Sequence, residues 1–132
     1  KAAEIAEKNN VILCMECHPN TFTDRKEPAL KLMESVNSPN FKMYWQPNQF
    51  ESLEENIEYI RLLKPYITHI HVFNWEGSEH YPLKDNPDKW VTYLGELGCE
   101  ERTLLLEFMP DGRIESLKEE TETLKNIISS LK

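Results

Sequence analysis

Four residues of this chain stand at or near the ends of short apolar runs, and their side chains suit one shared piece of chemistry. Glu16 follows VILCM, Gln46 follows FKMYW, His71 lies in ITHIHVF and Glu107 follows TLLL. Two carboxylates, an imidazole nitrogen and an amide oxygen form a donor set for a divalent cation such as Mn²⁺, Mg²⁺ or Co²⁺, with Zn²⁺ also admissible. Carboxylates held in one place can also exchange protons with a substrate. Taken singly, a glutamate after a strand is most often a solvated loop residue. His69 or His71 alone would equally serve as a core histidine bonded to backbone. The recurrence across four segments is what points to a common site.

The elements that must carry these residues follow from periodicity. Val11–Met15, Phe41–Trp45, Ile67–Phe73 and Thr103–Leu106 read as strands. The first looks buried on both faces, being continuously apolar. The third alternates, with Thr68, Ile70 and Val72 on one face and Ile67, His69, His71 and Phe73 on the other. Helices are expected over 1–9, 25–36, 52–63, 87–97 and 115–131. Ser52 with Glu55 forms a capping box, Pro87 sits in a first turn and Gly98 is a C-terminal stop. Asn74–Asp85 reads as a long loop. Strict alternation of helix and strand implies parallel strands with right-handed crossovers. All strand ends then lie on one face, which in a β/α barrel is the face of the active site.

Composition bounds the rest. At 132 residues the chain suits one domain, and its formal net charge of −8 opposes non-specific binding to nucleic acid or anionic membranes. No apolar run approaches the roughly 20 residues that span a bilayer. Three cysteines without a secretory signal make a reduced, cytoplasmic protein the expectation. Cys14 and Cys17 form a C-x-x-C, but at the end of a strand and without a second pair, so they read as buried structural cysteines.

With these residues in view, the chain resembles the xylose-isomerase-like barrel superfamily, which includes sugar isomerases and epimerases, inosose dehydratases and apurinic-site endonucleases. MECHPNTFTD resembles its E-N-H-x-G-T-L-T-D stretch and YITHIHVFN its Y-I-x-H-V-H-x-K-D. Pro82-Leu83, Trp90 and LLLEF are similar to its closing segment. The match runs from about residue 11 to 109 and covers the last four strands of a (β/α)8 barrel. The resemblance implies an α/β fold of parallel β/α units, with residues 1–132 as a single half-barrel domain of a protein about twice as long. It implies metal ligation by Glu16, Gln46, His71 and Glu107. Glu16 and Glu107 would also act as the acid–base pair of an isomerase or epimerase working through an enediolate. His18, Gln49 and Trp75 fall at substrate-side positions. Trp45 packs either on a sugar ring or on the barrel wall.

Three departures from the family pattern remove charge or basicity. Gln46 replaces an aspartate, Gln49 a histidine and Asn74 an aspartate. They imply weaker metal binding, and they leave a non-catalytic sugar-binding barrel and a nuclease-like metal hydrolase as alternatives. The expected partner is a small sugar-like molecule, with no nucleic acid and no membrane. Four strands are half a barrel. Their inward side chains, read as Val11, Leu13, Tyr44 or Met43, Ile70 or His69, and Leu105, need a cover. The chain is therefore expected to pair with a missing N-terminal half or with a second copy.

Overall fold

β-strands β1 (Leu13–Glu16), β2 (Phe41–Trp45), β3 (Ile67–Val72) and β6 (Thr103–Leu106) form one parallel sheet in the order β1-β2-β3-β6. The computed structural model describes residues 1–131. Helices α1 (Ala2–Lys8), α2 (Lys26–Val36), α3 (Leu53–Leu63), α4 (Pro87–Leu97) and α5 (Leu117–Ser130) fill the alternation. A short antiparallel hairpin, β4 (Asn74–Glu76) and β5 (Glu79–Tyr81), stands where a plain loop was expected. Its turn is made by Gly77, whose φ of 57° is open to glycine at little cost. This is an α/β architecture of consecutive β/α units. Among the described residues, no helix is long and apolar enough to cross a membrane.

Local chemistry sets the element ends. Ser52 caps α3, its hydroxyl oxygen accepting from the Glu55 N–H at 3.1 Å. The expected reciprocal half of that box is absent, because the Glu55 carboxylate instead takes the Lys26 ammonium at 2.8 Å. Asn37 ends α2 in the left-handed conformation. Pro87 opens α4 and Gly98 closes it. Helix α5 begins at Leu117, two residues later than expected, because Ile114–Ser116 forms a separate 3₁₀ turn.

The core lies between the convex face of the sheet and the helices. Met43, Trp45, Ile67, Ile70 and Val72 pack there against Ile60, Leu63, Trp90, Tyr93 and Leu97. Several sequence readings are corrected by this arrangement. Strand β1 is a sheet edge rather than a strand buried on both faces, and it starts at Leu13. Val11 and Ile12 precede it and are exposed, Val11 being drawn back to α1 by a bond from its N–H to the Ala6 carbonyl. The register between β2 and β3 slips at Met43/Tyr44, so Thr68 is an extra residue and the alternation of β3 fails there. Ile67 consequently joins Ile70 in the core and parts from His69 and His71. Met43 and Ile70 face the helices. On the concave side stand Tyr44 and His69, whose rings meet at 4.6 Å, and the exposed Leu105. Trp45 is 1 % exposed and meets Trp90 and Tyr93 edge-on, so it belongs to the barrel wall and not to a sugar subsite.

Candidate metal centre and acid–base site

Glu16, His71 and Glu107 converge at the C-terminal edge of the sheet, with one ligand atom from each lying within 4.8 Å of the others. The meeting point is His71 Nδ1. It lies 2.9 Å from Gln46 Oε1, 3.3 Å from Glu107 Oε2 and 3.8 Å from Glu16 Oε1. Three of the strand-end residues thus surround one nitrogen of the fourth.

Each is positioned by something specific. Glu16 is fixed through its carbonyl, which accepts from the Thr23 hydroxyl at 3.1 Å. Thr23 is in turn held by Tyr59, whose hydroxyl donates to the Thr23 carbonyl at 2.8 Å. Cys17 fastens the ends of β1 and β2. Its N–H donates to the Tyr44 carbonyl, its thiol to the Gln46 carbonyl at 3.5 Å, and its sulfur accepts from the Gln46 N–H at 3.3 Å. Burial pushes that thiol up to about 12, so Cys17 is a neutral structural group. Cys14 lies toward the other face, 3.8 Å from the Thr68 hydroxyl, and all the cysteines are free. His71 is wedged by Tyr44, its ring 4.7 Å away. Glu107 is set by its N–H, which donates to the Val72 carbonyl at 3.3 Å. Cys17, Thr23, Tyr44 and Tyr59 were not legible as site supports in the sequence, because each acts through a contact that only the packed loops create.

The electrostatics fit a cation. Burial pushes the Glu107 carboxyl above the usual glutamate range and the charge of Glu16 adds to that, while His71 and His18 pull it down. Two carboxylates packed against one imidazole in a half-buried site repel each other unless a proton or a cation sits between them. The donor set of two carboxylate oxygens, an imidazole nitrogen and an amide oxygen, all near one point, suits a divalent ion. Glu16, Gln46, His71 and Glu107 would hold it.

The substrate-side residues divide. His18 is exposed, near enough to Glu107 to influence its charge, with Nδ1 3.0 Å from the Pro19 carbonyl. Gln49 lies away from the cluster. It lines a cavity of about 360 Å³ between α3 and α4, and its carbonyl accepts from the Gly77 N–H at 3.0 Å, which ties it to the hairpin turn. Trp75 also borders that cavity, while its ring stacks on His80 and leans on Phe108, the residue after Glu107.

The sequence profile of the xylose isomerase-like TIM barrels matches residues 1–127. The chain belongs to that family. Family membership accounts for four strand-end residues meeting at one point, since a β/α barrel presents all its strand ends to one mouth. Among curated proteins the chain is similar to a 3-dehydroshikimate dehydratase of Bacillus anthracis, with 30 % identity over 78 residues, 58 % of this chain and 28 % of that protein. Among solved structures it is similar to the probable 3-DHS dehydratase AsbF, involved in petrobactin synthesis, from the same organism. That match has a TM-score of 0.67 and 22 % identity over 93 % of this chain and 52 % of AsbF, and it bears on the fold. The chain therefore spans about half the length of this barrel relative. Its sheet of four parallel strands with helices is consistent with a partial TIM barrel.

Proposed function

We propose that these residues form the catalytic half of a metal-dependent enzyme that removes a proton beside the carbonyl of a small polyhydroxylated substrate. The single observation that carries this reading is the convergence of Glu16, Gln46 and Glu107 on His71 Nδ1. A divalent cation held by these four would polarise the carbonyl. Glu16 and Glu107 enter from the two outer strands of the sheet, β1 and β6, on either side of His71, so one takes the proton while the other gives one back. If the proton returns to a neighbouring carbon, the outcome is isomerisation; if it returns to the same carbon from the opposite face, epimerisation. If instead the second carboxyl protonates a hydroxyl one carbon further on, a C=C bond forms, the C–O bond breaks and water leaves.

The dehydratase outcome is favoured by the likeness to a 3-dehydroshikimate dehydratase. Both outcomes share the first step, and absorbance tells them apart, because elimination creates a carbonyl conjugated to a new double bond. The test incubates the Mn²⁺-loaded protein with 3-dehydroshikimate and, separately, with xylulose in D₂O. Deuterium entering at the carbon beside the carbonyl, abolished by Glu107→Gln, supports the proposal. The absence of both exchange and a rise in ultraviolet absorbance with either compound, although metal is bound, overturns it and leaves a sugar-binding barrel. A rise in ultraviolet absorbance assigns dehydration. We further take the concave face and the free edges of β1 and β6 to be covered in the working protein by other barrel strands, from a longer chain or a second copy. Light scattering from residues 1–132 alone tests this, and a stable monomer at micromolar concentration rejects it.

A further inference from the structure

The geometry points to a second binding site, in the cavity between α3 and α4, for a small zwitterion: an α-amino acid with an apolar side chain. The cavity holds about 360 Å³, within the range of about 300–1,000 Å³ for small-molecule sites. None of Glu16, Gln46, His71 and Glu107 lines it. Its inner wall includes Tyr93, which is 0 % exposed. The Tyr93 ring packs edge-on against Trp45 and Trp90, yet its hydroxyl finds no partner among the described residues. A buried hydroxyl is costly to leave unpaired. Lys89 lies one turn earlier on the same face of α4, and helical side chains lean toward the N-terminus, so Tyr93 leans toward Lys89. The half-buried Lys89 ammonium spends one donor on the Trp75 carbonyl at 3.3 Å and forms no ion pair among the described residues. Burial pushes its pKa down, with Glu76 opposing. Two donors, one of them cationic, thus stand together without an anionic acceptor.

The other walls complete the pattern. Glu51, Glu76 and Asp88 also line the cavity and are exposed, so they form its rim. Three carboxylates there repel a bare anion and attract an ammonium. A carboxylate is what Lys89 and Tyr93 can bind, through charge-assisted hydrogen bonds. One molecule that carries both groups satisfies both ends, with its carboxylate inward and its ammonium outward. Leu53, on the same wall and 43 % exposed, supplies apolar surface for the side chain. The frame of the cavity is fixed by its own bonds. Asn56 spends its amide on both backbone groups of Asn48 and on the Ser52 carbonyl, and the Gly77 N–H ties the hairpin to the Gln49 carbonyl.

L-leucine is the probe. Its controls are 4-methylpentanoate and 3-methylbutylamine, which keep the branched chain and lack the ammonium or the carboxylate. Calorimetry on the whole chain is run with EDTA, so that L-leucine cannot bind by chelating a cation at Glu16 and Glu107. The outcome is then independent of the chemistry proposed there. L-leucine is expected to bind with a Kd of about 0.1–1 mM, and each control at least about tenfold more weakly. Lys89→Met, which keeps the stem, is expected to weaken L-leucine binding about tenfold, and Tyr93→Phe about threefold. Tyr93→Phe removes the unpaired hydroxyl, so the urea midpoint of the ligand-free chain is expected to stay or rise, which separates lost binding from lost folding. No saturable binding of L-leucine, equal binding by either control, unchanged affinity in either variant, or a lowered midpoint in Tyr93→Phe overturns the inference.

Discussion

The two faces of the same four strands have opposite characters. The convex face carries Met43, Trp45, Ile70 and Val72, each 1 % exposed or less and locked against α3 and α4. The concave face carries Glu16, Tyr44, His69, His71 and Leu105, part-exposed and mostly polar or ionisable. Adjacent residues of one strand thus belong to different environments. The helices take the apolar set out of water, which stabilises the fold by about 25 cal/mol per Å². The other set is left free for chemistry. Substitutions on the convex face are therefore expected to change stability, and those on the concave face at the sheet's end to change activity.

Glu107→Gln is the largest test of that separation. It is expected to lower the rate of proton exchange by about 10²–10⁴-fold while moving the denaturation midpoint little. A comparable loss of stability would mean that the concave face also holds the fold. The converse test is Trp90→Ala. Trp90 is fully buried and its Nε1–H donates to the Phe73 carbonyl at 3.0 Å. Removing it is expected to cost about 3–5 kcal/mol in urea unfolding, and a loss under 1 kcal/mol would show that the convex packing is looser than its burial implies.

Gln46→Asp sharpens the comparison at its boundary, since residue 46 is 6 % exposed yet touches His71. Adding an anion to the donor set is expected to raise Mn²⁺ affinity about tenfold by calorimetry, roughly the effect of 1.4 kcal/mol. Equal affinities would remove residue 46 from the ligand set.

The smallest effect lies far from the site. Glu120 is 3 % exposed, its carboxylate accepts from the Leu83 N–H at 3.1 Å, and burial raises its pKa. The unfolded chain therefore gives up this proton first as pH rises, and folding loses free energy through the carboxylate range. Glu120→Gln keeps the acceptor and removes the charge. It is expected to raise the unfolding midpoint at pH 7, with the gain disappearing below the ordinary glutamate pKa of about 4.3. A gain that persists at pH 3 would assign it to packing.

Much of this was legible in the sequence. The order of helices and strands, the cap at Ser52, the stop at Gly98 and the strand-end positions of Glu16, Gln46, His71 and Glu107 follow from periodicity and turn chemistry, which depend on near neighbours along the chain. What the tertiary structure decided involves residues far apart. The register slip opposite Met43 and Tyr44 moved Ile67 to the core, because a bulge arises between two strands and has no signature in either alone. Trp45 went to the helices and Trp75 to the edge of the cavity between α3 and α4, although both are tryptophans near a strand end, because Trp45 ends β2 on the convex face and Trp75 rides the β4–β5 hairpin. The convergence on one nitrogen was likewise decided in three dimensions. The sequence supplied four donors at four strand ends, and the parallel sheet, the Cys17 fastening and the Tyr44 wedge brought them to within hydrogen-bonding and ion-pairing reach of His71.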